Sequence, residues 1–533
     1  MKAQIQQLIQ QAINSAFGVD FDAEKIKIDY PPEGRGDYST NIVLVLAKQI
    51  GKGPMEVAEE IKKNILGNQV SQEETRFLNF ERVEIAKPGF LNFWLENKTL
   101  KSGVGKINEE KNNYGSSDAG KGKKIHLDFV SANPTGPVHI GNARGGPLGD
   151  TLANIFEKVG YKPYREYYVN DAGNQVVVLG HSILGDSEAQ YNGDYIAEIR
   201  NQISKIKDKD VRQIGEEGVK IIIDEIIKPS MEKCGINFDN WFSERELQES
   251  GKVDEVIEML KKKKLTYEKE GAIWFKSTEF GDDKDRVVIK STGDKTYFGS
   301  DIAYHKEKID RGFDKLLDIW GADHHGEVAR TKGALEALGH KDKLEIILTQ
   351  FVRVLKDGKE MKMSKRAGNY VSVDDLIDEV GKDATRFFFL MHSADTHMNF
   401  DLDLAKERSE KNPVYYIQYA HARIASILRK AEKVEVQLPQ WKLNFHPKER
   451  ALVFELLKFP DLIEEISKNY AAHYLPQYAI GLADKFHSFY NDCKVIDEGN
   501  PEITARRLEL VKAAKIVLAE TLRLMGISAP DKM

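Results

Sequence analysis

The apolar positions change their period twice along the chain. Near the start, Ile5, Leu8, Ile9, Ala12, Ile13 and Phe17 recur at helical spacing, and Gly18 supplies a stop. Ile26, Ile28 and Tyr30 alternate as a strand would. Residues 41–50 and 55–65 read as helices separated by Gly51, Gly53 and Pro54, and residues 84–95 as strands around a Pro-Gly turn. Residues 1–110 are therefore expected to form a small α+β module. The polar, glycine-rich stretch 108–123 breaks the pattern and reads as a linker.

Between 121 and 404 strand and helix signals alternate. Strands are expected at 125–130, 164–169, 316–320 and 344–348, and a helix at 142–159 that ends at Gly160. That alternation implies a parallel sheet with covering helices, a Rossmann-like α/β domain. Residues 185–290 are charged and helix-rich, then strand-like at 273–275 and 287–289; they read as an insertion connecting two halves of the fold. From 405 to 533 strand signals vanish. Residues 413–431, 447–457, 461–470, 478–490 and 503–525 read as helices of a separate all-α domain. The expected fold class is multidomain α/β.

Composition narrows the class. The 533 residues suggest roughly two to four domains. A hydrophobic share of 41% and a charged share of 30% suit a soluble globular protein. Cys234 and Cys493 lie far apart, so neither a disulfide framework nor a Cys-rich zinc site is expected, and the cytoplasm is the natural compartment. The polar, amphipathic start does not read as a secretory signal, and no apolar run approaches the ~20 residues of a membrane span. Net charge is 78 − 84 = −6, which neither supports nor excludes an RNA partner. The run Lys261 to Lys264 reads as a solvated helix face rather than a phosphate contact.

Two segments carry chemistry. SANPTGPVHIGNARG, Ser131 to Gly145, lies where a strand ends and a helix begins, which is where an α/β sheet binds ligands. Backbone N–H groups there favour phosphate. His139 offers an imidazole donor, and Gly141 leaves room for an adenine ring against the backbone. The plainer reading is a Gly/Pro turn with a structural histidine. KMSKRAGN, Lys362 to Asn369, follows an Asp357-Gly358 hairpin signal and precedes an S-x-x-D cap at Ser372 and Asp375. Lys362 and Lys365 suit charge developing on a triphosphate during transfer at its α-phosphate. Taken alone, they would also suit a solvated basic turn.

The pair resembles the class I aminoacyl-tRNA synthetases. His139-Ile140-Gly141-Asn142 matches three of the four positions of the H-I-G-H motif, and Lys362-Met363-Ser364-Lys365 matches K-M-S-K fully. Asn142 in place of the second histidine can donate a hydrogen bond but carries no charge. Further segments resemble the arginine branch: residues 166–175, 321–330, 381–405, 412–423 and 526–533, and GRGDYSTNIVLVLAK near the N-terminus. The resemblance implies an ATP-dependent ligase that joins L-arginine to tRNA(Arg), with magnesium arriving on ATP, no structural metal, and a monomeric working unit. It places His139, Lys362 and Lys365 in catalysis, and His139, Gly141, Asn142, Ser364, Asp323 and His324 around ATP. It assigns arginine to Asp128, Asn133, Tyr297, Asp301 and His324, with Asn133 at the amino or carboxylate end.

A guanidinium asks for planar, charged acceptors, which fits two aspartates. Tyr297 and Asp301 are four apart and share a helix face. Read from the residues alone, Asp301 is first a carboxylate answering a helix macrodipole. His324 fills a position where relatives often have glutamine, and His325 beside it reads as structural. The resemblance also gives the N-terminal module to the tRNA elbow and the helical domain to the anticodon, with Tyr415 to Tyr419 and the Arg506-Arg507 pair as RNA contacts. Two rivals stand beside this reading. Smaller nucleotidyl transferases share the H-I-G-H-like turn but generally lack the helical domain. A non-catalytic synthetase-like RNA-binding protein would not need Lys362, Ser364 and Lys365 intact.

Overall fold

The computed structural model describes residues 1–32, 34–68, 78–203, 208–361, 371–432 and 444–533. In the N-terminal module the helix Lys2–Phe17 buries Ile5, Leu8, Ile9, Ala12 and Ile13, the positions its periodicity singled out. Strands β1 (Tyr38–Thr40), β2 (Phe80–Ala86) and β3 (Phe90–Leu95) form an antiparallel sheet in the order β1-β3-β2. The alternation at Ile26 and Ile28 does not make a strand. Both side chains are buried, but the segment contributes one isolated bridge, Asp29 to Ser39, after a short turn capped by Asp22. The strand sits instead at Tyr38–Thr40, where all three residues are buried.

The polar stretch expected as a loose linker is packed. The helix Asn97–Glu110 runs into it, Tyr114 is buried, and backbone N–H groups of Ser117, Gly120 and Gly122 donate to the carbonyls of Lys158, Val159 and Gly160. Its polarity serves backbone hydrogen bonding, which composition does not distinguish from solvent exposure.

The central α/β region supplies β4 (Lys124–Phe129), β5 (Lys162–Val169) and β6 (Asn240–Ser243). A separate antiparallel sheet follows, made of β7 (Thr266–Lys269), β8 (Ala272–Phe275) and β9 (Arg286–Ile289). The chain then returns with β10 (Lys315–Gly321) and β11 (Leu344–Thr349), and adds β12 (Val352–Lys356), β13 (Lys359–Glu360) and β14 (Met398–Asp401). The main sheet is parallel throughout, in the order β11-β10-β4-β5-β6. The first strand, β4, therefore lies in the middle, and the chain direction of winding reverses beside it. The crevice outside the carboxyl ends of β4 and its neighbours is the topological switch point, where such sheets take ligands. One strand of this sheet, β6, falls inside residues 185–290. The expected insertion is thus two pieces: helices before β6, and helices with the β7–β9 sheet after it.

From 405 onward the described residues contain helices and no strand: Pro413–Ala431, Pro447–Leu457, Phe459–Asn469, Tyr474–Asp492 and Pro501–Leu524. Four of the five carry proline at their first or second position, where no N–H is needed. The Arg506-Arg507 pair, expected to face RNA, turns inward. Both guanidiniums bond Glu449, at 2.8 and 2.6 Å, and Arg507 also donates to the Lys494 carbonyl. The N-terminal module leans on this domain: Asp461 accepts from the Met1 ammonium at 3.0 Å and from the Tyr30 hydroxyl at 3.1 Å. Among the described residues no helix is long and apolar enough to cross a membrane.

One guanidinium joins three parts of the molecule. Arg386 is fully buried and donates to Asp150 Oδ2 at 2.6 Å, to the Met525 carbonyl at 2.7 Å and to the Cys234 carbonyl at 3.0 Å. Gly526 follows at φ 69°, and a side chain there would collide with the Arg386 guanidinium. Breaking a buried pair on one side leaves an uncompensated charge, at a cost of about 3–5 kcal/mol. Arg386→Met should therefore lower the thermal midpoint of the α/β core and the helical domain together. Two separated transitions, with the core unchanged, would show that this contact does not couple them.

Candidate active site

The site is built on a row of acids. Asp318 on β10, Asp128 on β4 and Glu166 on β5 are direct register partners across three adjacent parallel strands. Strand alternation puts them on one face, while Ile125, Leu127 and Phe129 bury themselves on the other. The helix Tyr297–Asp310 covers the acidic face. Its residues Tyr304 and Lys308 and the adjoining Arg311, spaced by four and three, fall on one stripe. Lys308 Nζ lies 2.9 Å from Asp318 Oδ1 and 3.2 Å from Asp128 Oδ2. The Tyr304 hydroxyl lies 3.0 Å from Asp128 and 2.8 Å from Glu166, its one proton shared between the two carboxylates. Arg311 grips both Glu166 oxygens, at 2.7 and 2.8 Å. His305 adds a 2.8 Å contact from Nε2 to Asp318.

These partners decide the ionisation. Burial alone would raise the Glu166 carboxyl, but hydrogen bonds from His126 and Arg311 outweigh it and hold the group well below the usual range. Burial likewise opposes ionisation of Asp318, and Lys308 with His305 overcomes it. Lys308 loses its water, yet the facing Asp318 and Asp128 raise its affinity for the proton above the ordinary value.

One turn earlier on the same helix the balance reverses. Asp301 is pushed up to about 6, chiefly by burial. Glu244, which caps the end of β6, is 2% exposed and pushed up to about 7 by burial and then by the nearby Asp301 and Asp171. Glu244 accepts hydrogen bonds from Gln248, at 2.9 Å, and from Tyr168. Among the described residues neither carboxyl forms an ion pair with lysine or arginine. Two converging acids without a counter-cation make a receptor for a cation. Glu244 was not singled out from the sequence. Its S-x-x-E signal reads as an ordinary helix cap, which Ser243 does provide, and the four-residue β6 before it gives no alternation to mark a strand end.

The remaining expected residues surround these acids. Asp128 is served by three donors, Ser131 at 2.6 Å in addition to Tyr304 and Lys308. Tyr297 opens the helix after the Thr296 cap, is 59% exposed, and packs over Gly173. Asn133 is exposed and accepts from Asn170 at 3.2 Å. His324 is exposed and bonds Glu327 at 2.9 Å, a contact that raises its pKa; its charge is felt at Asp301. Asp323 and His325 beside it are exposed.

The HIGN turn is held by its own hydrogen bonds. His139 caps the short helix Ile140–Ala143, its Nδ1 accepting from the Gly141 N–H at 3.0 Å. With Nδ1 an acceptor, the ring proton of the neutral imidazole belongs on Nε2, the donor nitrogen. A Cβ on Gly141 would press to 3.2 Å from His139 Nδ1. The Asn142 side chain is exposed at the mouth. Arg144, two residues on, is buried and donates to the carbonyls of Gln350 at 2.7 Å, Thr396 at 2.8 Å and Ser393 at 2.8 Å.

Lys362, Ser364 and Lys365 lie outside the described residues. Their two flanks are described. Before them, β12 and β13 join through Asp357-Gly358, both at positive φ (51° and 68°), as a two-residue hairpin needs. After them, Ile140 N–H donates to Val371 O at 3.2 Å and Val373 N–H to Val138 O at 2.9 Å, and Ser372 with Asp375 forms a capping box. Val371 to Val373, which follow the K-M-S-K segment in the chain, therefore pair with the HIGN turn. Among the described residues no group of three or more His, Cys, Asp or Glu side chains is arranged to hold a metal.

Comparison with known proteins agrees with this architecture. Three family models match in order: the arginyl tRNA synthetase N terminal domain over residues 3–95, the class I (R) tRNA synthetase catalytic domain over 104–193 and 181–407, and the DALR anticodon binding domain over 417–533. The arginine–tRNA ligase of Bacillus velezensis is 45% identical, with 93% of this chain and 92% of that protein covered. The arginine–tRNA ligase of Listeria monocytogenes is 44% identical, with 98% of each covered. The solved arginyl-tRNA synthetase of Thermus thermophilus superposes with a TM-score of 0.78 over the whole of both chains at 21% identity, a likeness of fold. Ordered domain models and relatives alike over nearly their full length leave one conclusion: the chain belongs to the arginyl-tRNA synthetase family of class I enzymes.

Proposed function

We propose that the chain activates L-arginine with ATP to arginyl-adenylate and transfers the arginyl group to the 3′ end of tRNA(Arg), releasing diphosphate and AMP. The observation that carries this reading is the pair of raised acids, Asp301 and Glu244, neither ion-paired with lysine or arginine among the described residues. The substrate guanidinium supplies the missing cation, with Asp128 on the pocket floor and Tyr297 at its rim. Asn133 takes the amino or carboxylate end. The arginine carboxylate then attacks the α-phosphorus of ATP, and diphosphate leaves. His139 Nε2–H donates to a phosphate oxygen, with Gly141, Asn142, Asp323 and His324 around the nucleoside. Lys362, Ser364 and Lys365 meet the charge that builds on the departing diphosphate. Magnesium enters as part of the nucleotide substrate. A terminal ribose hydroxyl of tRNA attacks the adenylate carbonyl, and AMP departs.

RNA recognition is assigned to the flanking domains, residues 1–110 at the elbow and residues 405–533 at the anticodon. On the helical domain Tyr415 and Tyr419 stack at 6.4 Å, Arg423 lies 4.6 Å over Tyr419, and Tyr419 and Tyr490 are exposed. Such rings suit unstacked bases. Catalysis and RNA reading reside in one chain, so the monomer is taken as the working unit.

Three outcomes test this reading, each by ATP–diphosphate exchange with tRNA(Arg) present. Asp301→Asn removes a charge-assisted bond and should raise the KM for arginine roughly ten- to hundredfold while the KM for ATP stays put; unchanged arginine kinetics would remove Asp301 from the pocket. The second outcome is a pH profile. Asp301 and Glu244 are raised in the empty site, and a bound guanidinium favours their ionised forms, so binding releases protons. Arginine affinity should therefore strengthen from about pH 5.5 upward, by up to about tenfold per pH unit for each titrating group, and level off above about pH 8; a flat profile would sink the two-acid receptor. Third, Lys365→Ala should lower kcat roughly a hundred- to thousandfold with little change in the KM for ATP. A large rise in that KM with kcat preserved would mean that the lysine binds ground-state ATP.

A further inference from the structure

Lys308 takes no direct part in that scheme, yet it is 0% exposed beneath the arginine site. Its three ammonium protons have three acceptors: both oxygens of Asp318, at 2.9 and 3.1 Å, and Asp128 Oδ2 at 3.2 Å. Its charge also lies 4.0 Å from the centroid of the Tyr304 ring. Asp128 and Asp318 are register partners on adjacent strands. Without a cation between them, one would have to take up a proton or turn away. A buried ion pair contributes little net stability over apolar side chains of equal volume, so stability is a poor account of this arrangement. It does determine where the Asp128 carboxylate points: Oδ2 is committed to Lys308 and Tyr304, and Oδ1 to Ser131.

We propose that Lys308 is a positioning residue for arginine recognition, holding Asp128 by its Oδ2 so that the substrate guanidinium meets a carboxylate of fixed orientation and charge. The inference rests on the reading above, in which the pocket takes arginine and Asp128 forms its floor. Lys308 acts through Asp128, and Asp318 serves as the counter-anion that keeps the ammonium in place.

A double-mutant cycle tests it on the full-length enzyme, with arginine and ATP kinetics from ATP–diphosphate exchange in the presence of tRNA(Arg) and a melting curve for each variant. Lys308→Met should raise the KM for arginine about tenfold or more and leave the KM for ATP within about twofold. In an Asp128→Asn background the same substitution should change the arginine KM by less than about threefold, because the carboxylate it positions is gone. Effects that multiply in the double variant, or an unchanged arginine KM in Lys308→Met, would overturn the proposal. Should Lys308→Met fail to fold, Tyr304→Phe removes the other donor to Asp128 Oδ2 and enters the same cycle. There the arginine KM should rise while Asp128 is intact and stay level once Asp128→Asn is in place; independent effects again reject the idea. Charging of tRNA(Arg) with arginine by the unsubstituted enzyme is measured alongside. Its absence would defeat the functional reading itself, whereas normal charging with a multiplicative cycle would defeat the role of Lys308 alone.

Discussion

Three carboxylates side by side on one face of a parallel sheet cannot be buried unanswered. Adjacent strands lie about 4.8 Å apart, and two like charges at that separation repel by roughly 3 kcal/mol even at an effective dielectric of ~20. Asp318, Asp128 and Glu166 occupy such a row. The helix Tyr297–Asp310 supplies what they lack, from Tyr304, Lys308 and Arg311 on a single stripe. Its seat on the sheet is therefore set by charge as much as by apolar contact. The same helix begins with Tyr297 and carries Asp301 one turn before the stripe. Wherever the charge row pins the helix, it also places Tyr297 and Asp301, the two residues of this helix that the proposed function gives to arginine.

Much of the outline was legible because it depends on local pattern. Helical spacing located Lys2–Phe17 and the five helices after residue 405. A strand-to-helix boundary located His139, an Asp-Gly pair located the hairpin, and S-x-x-D located the cap at Ser372. Asp301 was not reachable in the same way: local pattern alone made it a carboxylate answering a helix macrodipole, and only the family resemblance assigned it to arginine. What escaped depends on distant partners. No local feature shows that Asp318, Asp128 and Glu166 stand level, since register is settled by strands almost two hundred residues apart. Strand β6 is four residues long and both its aromatics are half-buried, so it lacks the alternation that marks a strand. Glu244 was hidden with it. Arg506 and Arg507 read as RNA contacts because a basic pair suggests a surface, whereas Glu449 draws both inward. The buried isoleucines at 26 and 28 imitate a strand because a chain can tuck side chains at every second residue without pairing its backbone.

The two flanking domains meet each other as well as the core. Arg450 and Asp37 pair across the join, and the Asn108 amide donates to Glu509 at 2.9 Å. Tyr38 and Phe454 add an edge-on ring contact at 5.5 Å. Two domains that pack in this way hold their surfaces at a set distance; under the proposed assignment of both to RNA, the shape of a bound RNA is measured along with its bases.

The contact between Arg386 and the Met525 carbonyl also orders events in time. A chain grows from its N-terminus, and domains generally fold as they emerge. The whole α/β core, Arg386 and Asp150 included, is synthesised before Met525 is added. Until the helix Pro501–Leu524 and Met525 arrive, the Arg386 Nε–H of the nascent core lacks its carbonyl acceptor, and a seam stays open beside the Cys234 carbonyl. Completion of the core's interior is thereby tied to synthesis of that helix. A chain cut short before that helix differs from the finished one in its interior as well as its length, and exposes to chaperones and proteases a polar seam that the finished protein never shows.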